Sequence, residues 1–165
     1  MRKTVKRAEL EWPAMTKTKV NRAPTKNGVV AHWNGPPTHL DTHEKCVEYW
    51  RWCRRFHMRE RGWLDIGYSY GVCPHGYEFE GRTFGYQQAA QPGGNTTWVS
   101  VSFMIGQGEM LTDEQITAFK GLRLWLIKEK RVQNAIKRHW EFVNTDCPGP
   151  LIDATIKRGE LAVVS

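Results

Sequence analysis

The period of the hydrophobic pattern changes several times along this chain, and each change restricts the fold. The run from Gly28 to Trp33 is short and apolar and predicts a buried strand. Asn34-Gly-Pro-Pro forces a turn after it. Thr38 is then placed to cap a helix running to about Arg59, in which Cys46, Trp50, Cys53 and Phe56 recur at spacings of three and four. Ile66 to Cys73 and Tyr77 to Glu80 flank Pro74-His-Gly76, the pattern of a β-hairpin. Phe84 to Thr96 is rich in Gln, Gly and Ala and reads as a loop, while Trp98 to Ile105 alternates as a strand. Thr112-Asp-Glu-Gln115 is a capping-box signature opening a second helix to about Lys130, with Ile116, Phe119, Leu122 and Leu126 on its buried face. Ile136 to Phe142 predicts another strand, and Leu151 to Lys157 a short last helix. Strands alternating with two long helices imply an α/β fold with a mixed central β-sheet flanked by helices.

The 165 residues suffice for one domain with a real core. Residues 1–27 are basic and irregular, with Pro13 and Pro24 as breakers and Trp12 as the anchor by which this arm packs on the body at 28–165. The net charge of +7 calls for an anionic partner, and nucleic acid, an acidic membrane and an anionic cell wall all fit. No zinc-finger spacing or RNA-recognition motif occurs, so nucleic acid is not expected. No apolar run approaches the ~18 residues of a membrane span, so membrane insertion is not expected either. The start, Met-Arg-Lys-Thr-Val-Lys-Arg7, has a positive stretch with no apolar segment after it. Synthesis in the cytoplasm without a secretory signal is the expectation. Eight tryptophans are many for this length, and some should line a groove.

The chemistry converges on Arg138 to Pro150. His139 and Cys147 stand eight residues apart there, and imidazole nitrogen and thiolate sulfur are the ligand types zinc prefers. A third ligand must come from elsewhere, and His32, on the first predicted strand, is the best donor. Three protein ligands leave the fourth tetrahedral position open, the arrangement of catalytic zinc. The other cysteines form no Cys-x-x-Cys pair; Cys46 and Cys53 read as small buried hydrophobes on one helix face. His39 and His43 fall four apart on the predicted helix, but without the glutamate a zincin needs after the first histidine, and read as solvated. His57 and His75 read as surface residues.

Four segments, Val29-Val-Ala-His32, Trp63-Leu-Asp-Ile-Gly-Tyr68, Tyr77-Glu-Phe-Glu-Gly-Arg82 and Thr145-Asp-Cys-Pro-Gly149, together resemble the type-2 N-acetylmuramoyl-L-alanine amidases of phage endolysins and the peptidoglycan recognition proteins. Leu10-Glu-Trp-Pro-Ala14 is similar to an early signature of the recognition-protein branch. The resemblance spans about Trp12 to Gly149. It implies that family's fold, with residues 28–165 as a zinc amidase domain, and one zinc ion held by His32, His139 and Cys147. It implies peptidoglycan as substrate and hydrolysis of the amide between the lactyl group of N-acetylmuramic acid and L-alanine. Tyr68 and Thr145 are the implied catalytic residues, the tyrosine as an oxyanion donor and the threonine orienting the water or the tetrahedral intermediate. Trp33, Asn34 and Asn95 are the expected substrate contacts.

Two departures stand out. Thr145 falls where several phage enzymes have lysine, although many recognition-type amidases carry threonine. Ala90 replaces the histidine of the family's Ala-His-Ala-x-Gly-x-Asn loop. No carboxylate presents itself as a general base beyond Glu80 and Glu141. The expectation is a monomeric phage endolysin that acts on the host wall after release. The alternative is a non-catalytic peptidoglycan-binding module of the same fold.

Overall fold

The computed structural model describes residues 1–164. In chain order the elements are β1 (Thr4–Val5), β2 (Val29–Gly35), α1 (His43–Arg59), β3 (Tyr70–Val72), β4 (Glu78–Glu80), β5 (Val99–Gly106), α2 (Asp113–Lys130), β6 (Ile136–Arg138) and α3 (Pro150–Lys157). A 3-10 turn over His139–Glu141 directly follows β6. The strands form one six-stranded sheet in the order β1-β4-β3-β5-β2-β6. Within this sheet β3 and β4 pair antiparallel, as the predicted hairpin, in the register Tyr70–Glu80. The other pairings are parallel. Parallel strands need long crossovers; α1 lies on the one from β2 to β3 and α2 on the one from β5 to β6, each passing one intervening strand.

The period-2 alternation of β5 divides the core. Val99, Val101, Phe103 and Ile105 cluster with Phe119, Leu122 and Leu126 of α2 and Ile152 of α3. Met104 points the other way, into a cluster with Cys46, Trp50 and Cys53 of α1. His32 and Ser102 face each other in register on β2 and β5. They fall on the α1 side, opposite Val101 and Phe103.

Several local expectations need correction. The cap of α1 is Thr42, whose hydroxyl accepts the Lys45 N–H at 3.2 Å. Thr38 is taken by Glu109, whose carboxylate accepts both its N–H and its hydroxyl at 2.9 Å and the His39 N–H at 2.7 Å. That anchors the segment to the turn after β5 and delays the helix. At α2, Thr112 caps as predicted. The Gln115 side chain does not reach back, however; its amide donates to Val72 O in the sheet. The last strand stops at Arg138, because the Glu141 carboxylate accepts the Arg138 N–H at 2.7 Å and tightens the chain into the 3-10 turn.

The arm is less irregular than its sequence suggests. Thr4 and Val5 add an edge strand beside β4, and Val5, Leu10 and Trp12 are buried in the α1 cluster. The Arg7 guanidinium grips Asp65 (2.9 Å) and Gly81 O (2.8 Å). No helix among the described residues is long and apolar enough to cross a membrane.

Candidate metal centre

Ligand sites in open α/β sheets form outside the carboxyl ends of parallel strands. Here β2 carries His32 at its midpoint, 1% exposed, just ahead of the irregular carboxyl end that begins after Trp33. Ala31 pairs with Arg138 across β2 and β6, so His139, the next residue after β6, arrives beside His32. Their ring centroids are 4.5 Å apart. Cys147 comes in on the loop ahead of α3. Its Sγ receives the Trp33 backbone N–H at 3.4 Å and lies 3.7 Å from His32 Nδ1. Gly149 makes this approach possible. Its φ is +87°, and a Cβ there would sit 2.5 Å from the Trp33 ring.

One donor atom from each of His32, His139 and Cys147 lies within 4.8 Å of the others. His139 Nε2 is buried with no hydrogen-bond partner. Two tetrahedral zinc ligands at 2.0–2.3 Å from the metal stand about 3.5 Å apart, close to the 3.7 Å between His32 Nδ1 and Cys147 Sγ. Burial, with His139 alongside, lowers the His32 pKa to about 3. Burial also lowers His139. Both rings are therefore neutral near pH 7, with a lone pair to give. Burial pushes the Cys147 thiol up to about 12 against the pull of the Trp33 N–H. A dication is what such a thiol lacks, since it favours the thiolate directly. The residues fit zinc.

Two clefts of about 550 Å³ flank the cluster. One is lined by Asn34, Tyr49, Trp52, Phe56, His57, Arg61 and Tyr68; the other by Trp33, Trp140, Thr145, Asp146, Gly149 and Asp153. Tyr68 stands beside the His-His-Cys cluster, its ring centroid 5.3 Å from that of His32. Burial first, then the Cys147 and Cys53 thiols, raise its pKa, so its phenol remains a neutral donor. Thr145 Oγ1 accepts the Cys147 N–H at 3.2 Å. That ties down the ligand loop and leaves the hydroxyl proton to give.

The remaining sequence candidates separate. Trp33 lines the Thr145 cleft and Asn34 the Tyr68 cleft. Asn95 lines neither; its Oδ1 accepts the Gln91 N–H at 2.8 Å. Glu80 is committed to the Arg7 N–H and Glu141 to the Arg138 N–H. His39 precedes α1, with φ +52°, and His43 packs against Tyr77 with ring centroids 3.9 Å apart. The two therefore share no helix face. His57 is no surface residue. It lies between Trp63 and Tyr68, its Nδ1 accepting the Gly67 N–H at 2.9 Å. Its position at the end of the predicted α1 stripe was the available signal. Gln91 also escaped the sequence reading. It is fully buried and meets His32 Nε2 at 2.7 Å, and nothing in a Gln-rich loop marks which glutamine turns inward.

Known proteins resemble the chain in sequence and in fold. Peptidoglycan-recognition protein LB of Drosophila melanogaster is 30% identical over 142 residues, covering 77% of this chain. An N-acetylmuramoyl-L-alanine amidase of Sus scrofa is 31% identical over 112 residues, covering 63% of it. The relatives it matches in sequence are peptidoglycan-recognition proteins and N-acetylmuramoyl-L-alanine amidases, and its structural neighbours are recognition proteins. No family model matches the sequence. The chain spans 61% of the length of the insect relative and 18% of the porcine one. The fold is that of the recognition proteins. The solved structure of Drosophila PGRP-LB superposes with a TM-score of 0.86 at 24% identity, over 95% of this chain and 94% of that one. The ectodomain complex of PGRP-LCa and PGRP-LCx, solved with tracheal cytotoxin bound, gives 0.83 at 25% identity over 94% and 95%. The His-His-Cys cluster is the feature of this chain that could hold a metal ion.

Proposed function

We propose that the protein is a zinc-dependent N-acetylmuramoyl-L-alanine amidase. It hydrolyses the amide between the lactyl group of N-acetylmuramic acid and L-alanine of the stem peptide. The observation that carries this reading is the convergence of His32, His139 and Cys147 donor atoms within 4.8 Å. A module that only binds peptidoglycan gains nothing from converging zinc-type donors, and leaving His139 Nε2 buried without a partner is costly. A bound zinc would supply an acidified water and polarise the scissile carbonyl. The chain's own residues do the rest. Tyr68, kept protonated by burial, donates a hydrogen bond to the oxygen on which negative charge develops. Thr145 holds the Cys147 loop through its acceptor lone pair, which leaves its proton to donate to water or to the tetrahedral intermediate. Trp33 and Trp140 offer apolar walls in one cleft and Tyr49 and Trp52 in the other, fitting a substrate that extends both ways from the scissile bond.

The tracheal cytotoxin complex named above supports peptidoglycan fragments as ligands, as does the net charge of +7, which suits an anionic wall. A lytic role as a phage endolysin, made in the cytoplasm and acting as a monomer on the wall after release, is the setting proposed from the sequence resemblance. The test is metal analysis together with Cys147→Ser. One zinc per chain is expected in protein never exposed to chelator, and the serine variant should lose zinc and amide hydrolysis while keeping its fold. Zinc-free wild-type protein that still binds muropeptide would mean a recognition module instead.

A further inference from the structure

Each nitrogen of a neutral imidazole has a fixed role once the other is assigned. In this protein the sheet itself makes the assignment, through two buried glutamines. Gln88 Nε2 donates to Trp98 O, and Gln88 Oε1 accepts the Ser100 N–H at 2.8 Å. Both partners are backbone groups of β5 or its approach, and a carbonyl only accepts while an N–H only donates. The Gln88 amide therefore cannot be reversed. Its Oε1 also faces Gln91 Nε2 at 3.1 Å, which donates a second time to Gly94 O at 3.3 Å. With its nitrogen so placed, Gln91 must turn Oε1 outward, and that atom meets His32 Nε2 at 2.7 Å. An amide oxygen only accepts, so Nε2 must carry the proton. His32 Nδ1 is left as a bare lone pair, 3.7 Å from Cys147 Sγ. Gln88 and Gln91 are 2% and 0% exposed, so water does not compete for these bonds.

We infer that Gln91, backed by Gln88, is the positioning residue that fixes His32 as a metal ligand through Nδ1. The inference rests on the zinc reading of the site for the word ligand, but its structural half, the tautomer, stands alone. Outer partners of this kind fix ring orientation and raise ligand basicity, and removing them weakens metal binding by about 10–100-fold. The Asn95 side chain has its place in the same device. Accepting the Gln91 backbone N–H at 2.8 Å, it holds the loop that presents the amide.

The test reads the tautomer directly. Long-range 1H–15N correlation on metal-free protein labelled in histidine is expected to show His32 protonated on Nε2. Gln91→Met preserves the length of the side chain and removes the amide. It is expected to release His32 into a mixture of tautomers and to raise the zinc dissociation constant about 10–100-fold in competition with a chromogenic chelator. Wild-type His32 protonated on Nδ1 would overturn the inference, as would a folded variant with unchanged tautomer and zinc affinity within twofold. If the variant does not fold, the wild-type spectrum decides alone. A wild-type protein that shows the Nε2–H form but takes up no zinc would defeat the metal reading while leaving the amide relay supported.

Discussion

Tyr68 and His57 share a wall of the same cleft, and their burial sets what each does. An oxyanion donor acts only in the transition state, so it should appear in kcat and barely in KM. Tyr68→Phe keeps the ring against Trp50 and His32 and removes the hydroxyl alone. A loss of roughly 10²–10³-fold in kcat is expected, the cost of one missing oxyanion donor, with zinc still bound and the melting temperature nearly unchanged. Near-wild-type turnover would take Tyr68 out of the mechanism. His57 responds to pH. Burial, reinforced by Arg61 and Arg82, lowers its pKa to about 4 from 6.5. Between these values the unfolded chain takes a proton that the folded protein refuses, so stability falls as pH drops through that window. His32 and His139, also lowered, act in the same direction. His57→Gln keeps an acceptor for Gly67 and should flatten the slope of unfolding free energy between pH 7 and 4. An unchanged slope would show that His57 titrates normally.

At the scale of elements, the arm, α1 and the segment before β3 are bound together at one buried carboxylate. Asp65 accepts from Arg7 (2.9 Å) and Arg54 (3.0 Å), and also caps the Ile66 N–H at 2.8 Å. Burial alone would raise its pKa, but the two guanidiniums hold it below the usual carboxylate value. Asp65→Ala strands two cations that have little water to turn to. A cost of about 3–5 kcal/mol is expected in urea unfolding, and a loss under about 1 kcal/mol would mean that the arm is held by Leu10 and Trp12 alone. This contact was invisible in the sequence, because charge counting treats Arg7 as one more solvated cation. The elements with strong local signals were legible. Thr112 caps α2 where its motif predicts, and β5 alternates as its residues do. Elements set by distant partners were not. Thr38 has good capping chemistry, yet Glu109, seventy-one residues away, takes its hydroxyl.

For the whole molecule, the same division holds at the site. The donors His32, His139 and Cys147 were legible because zinc chemistry restricts residue type so narrowly. Gln91 and His57 were not, because an amide or an imidazole declares its role only through what the fold places against it. The proposed amidase cuts a single kind of bond in peptidoglycan. The direct measurement is mass analysis of purified peptidoglycan digested by the protein, with and without a zinc chelator. The proposed cleavage leaves free stem peptides with new L-alanine amino termini and intact glycan strands, with no release in chelator and recovery when zinc is restored. New reducing sugar ends without new amino groups, or binding to the wall with no cleavage by zinc-loaded protein, would contradict it.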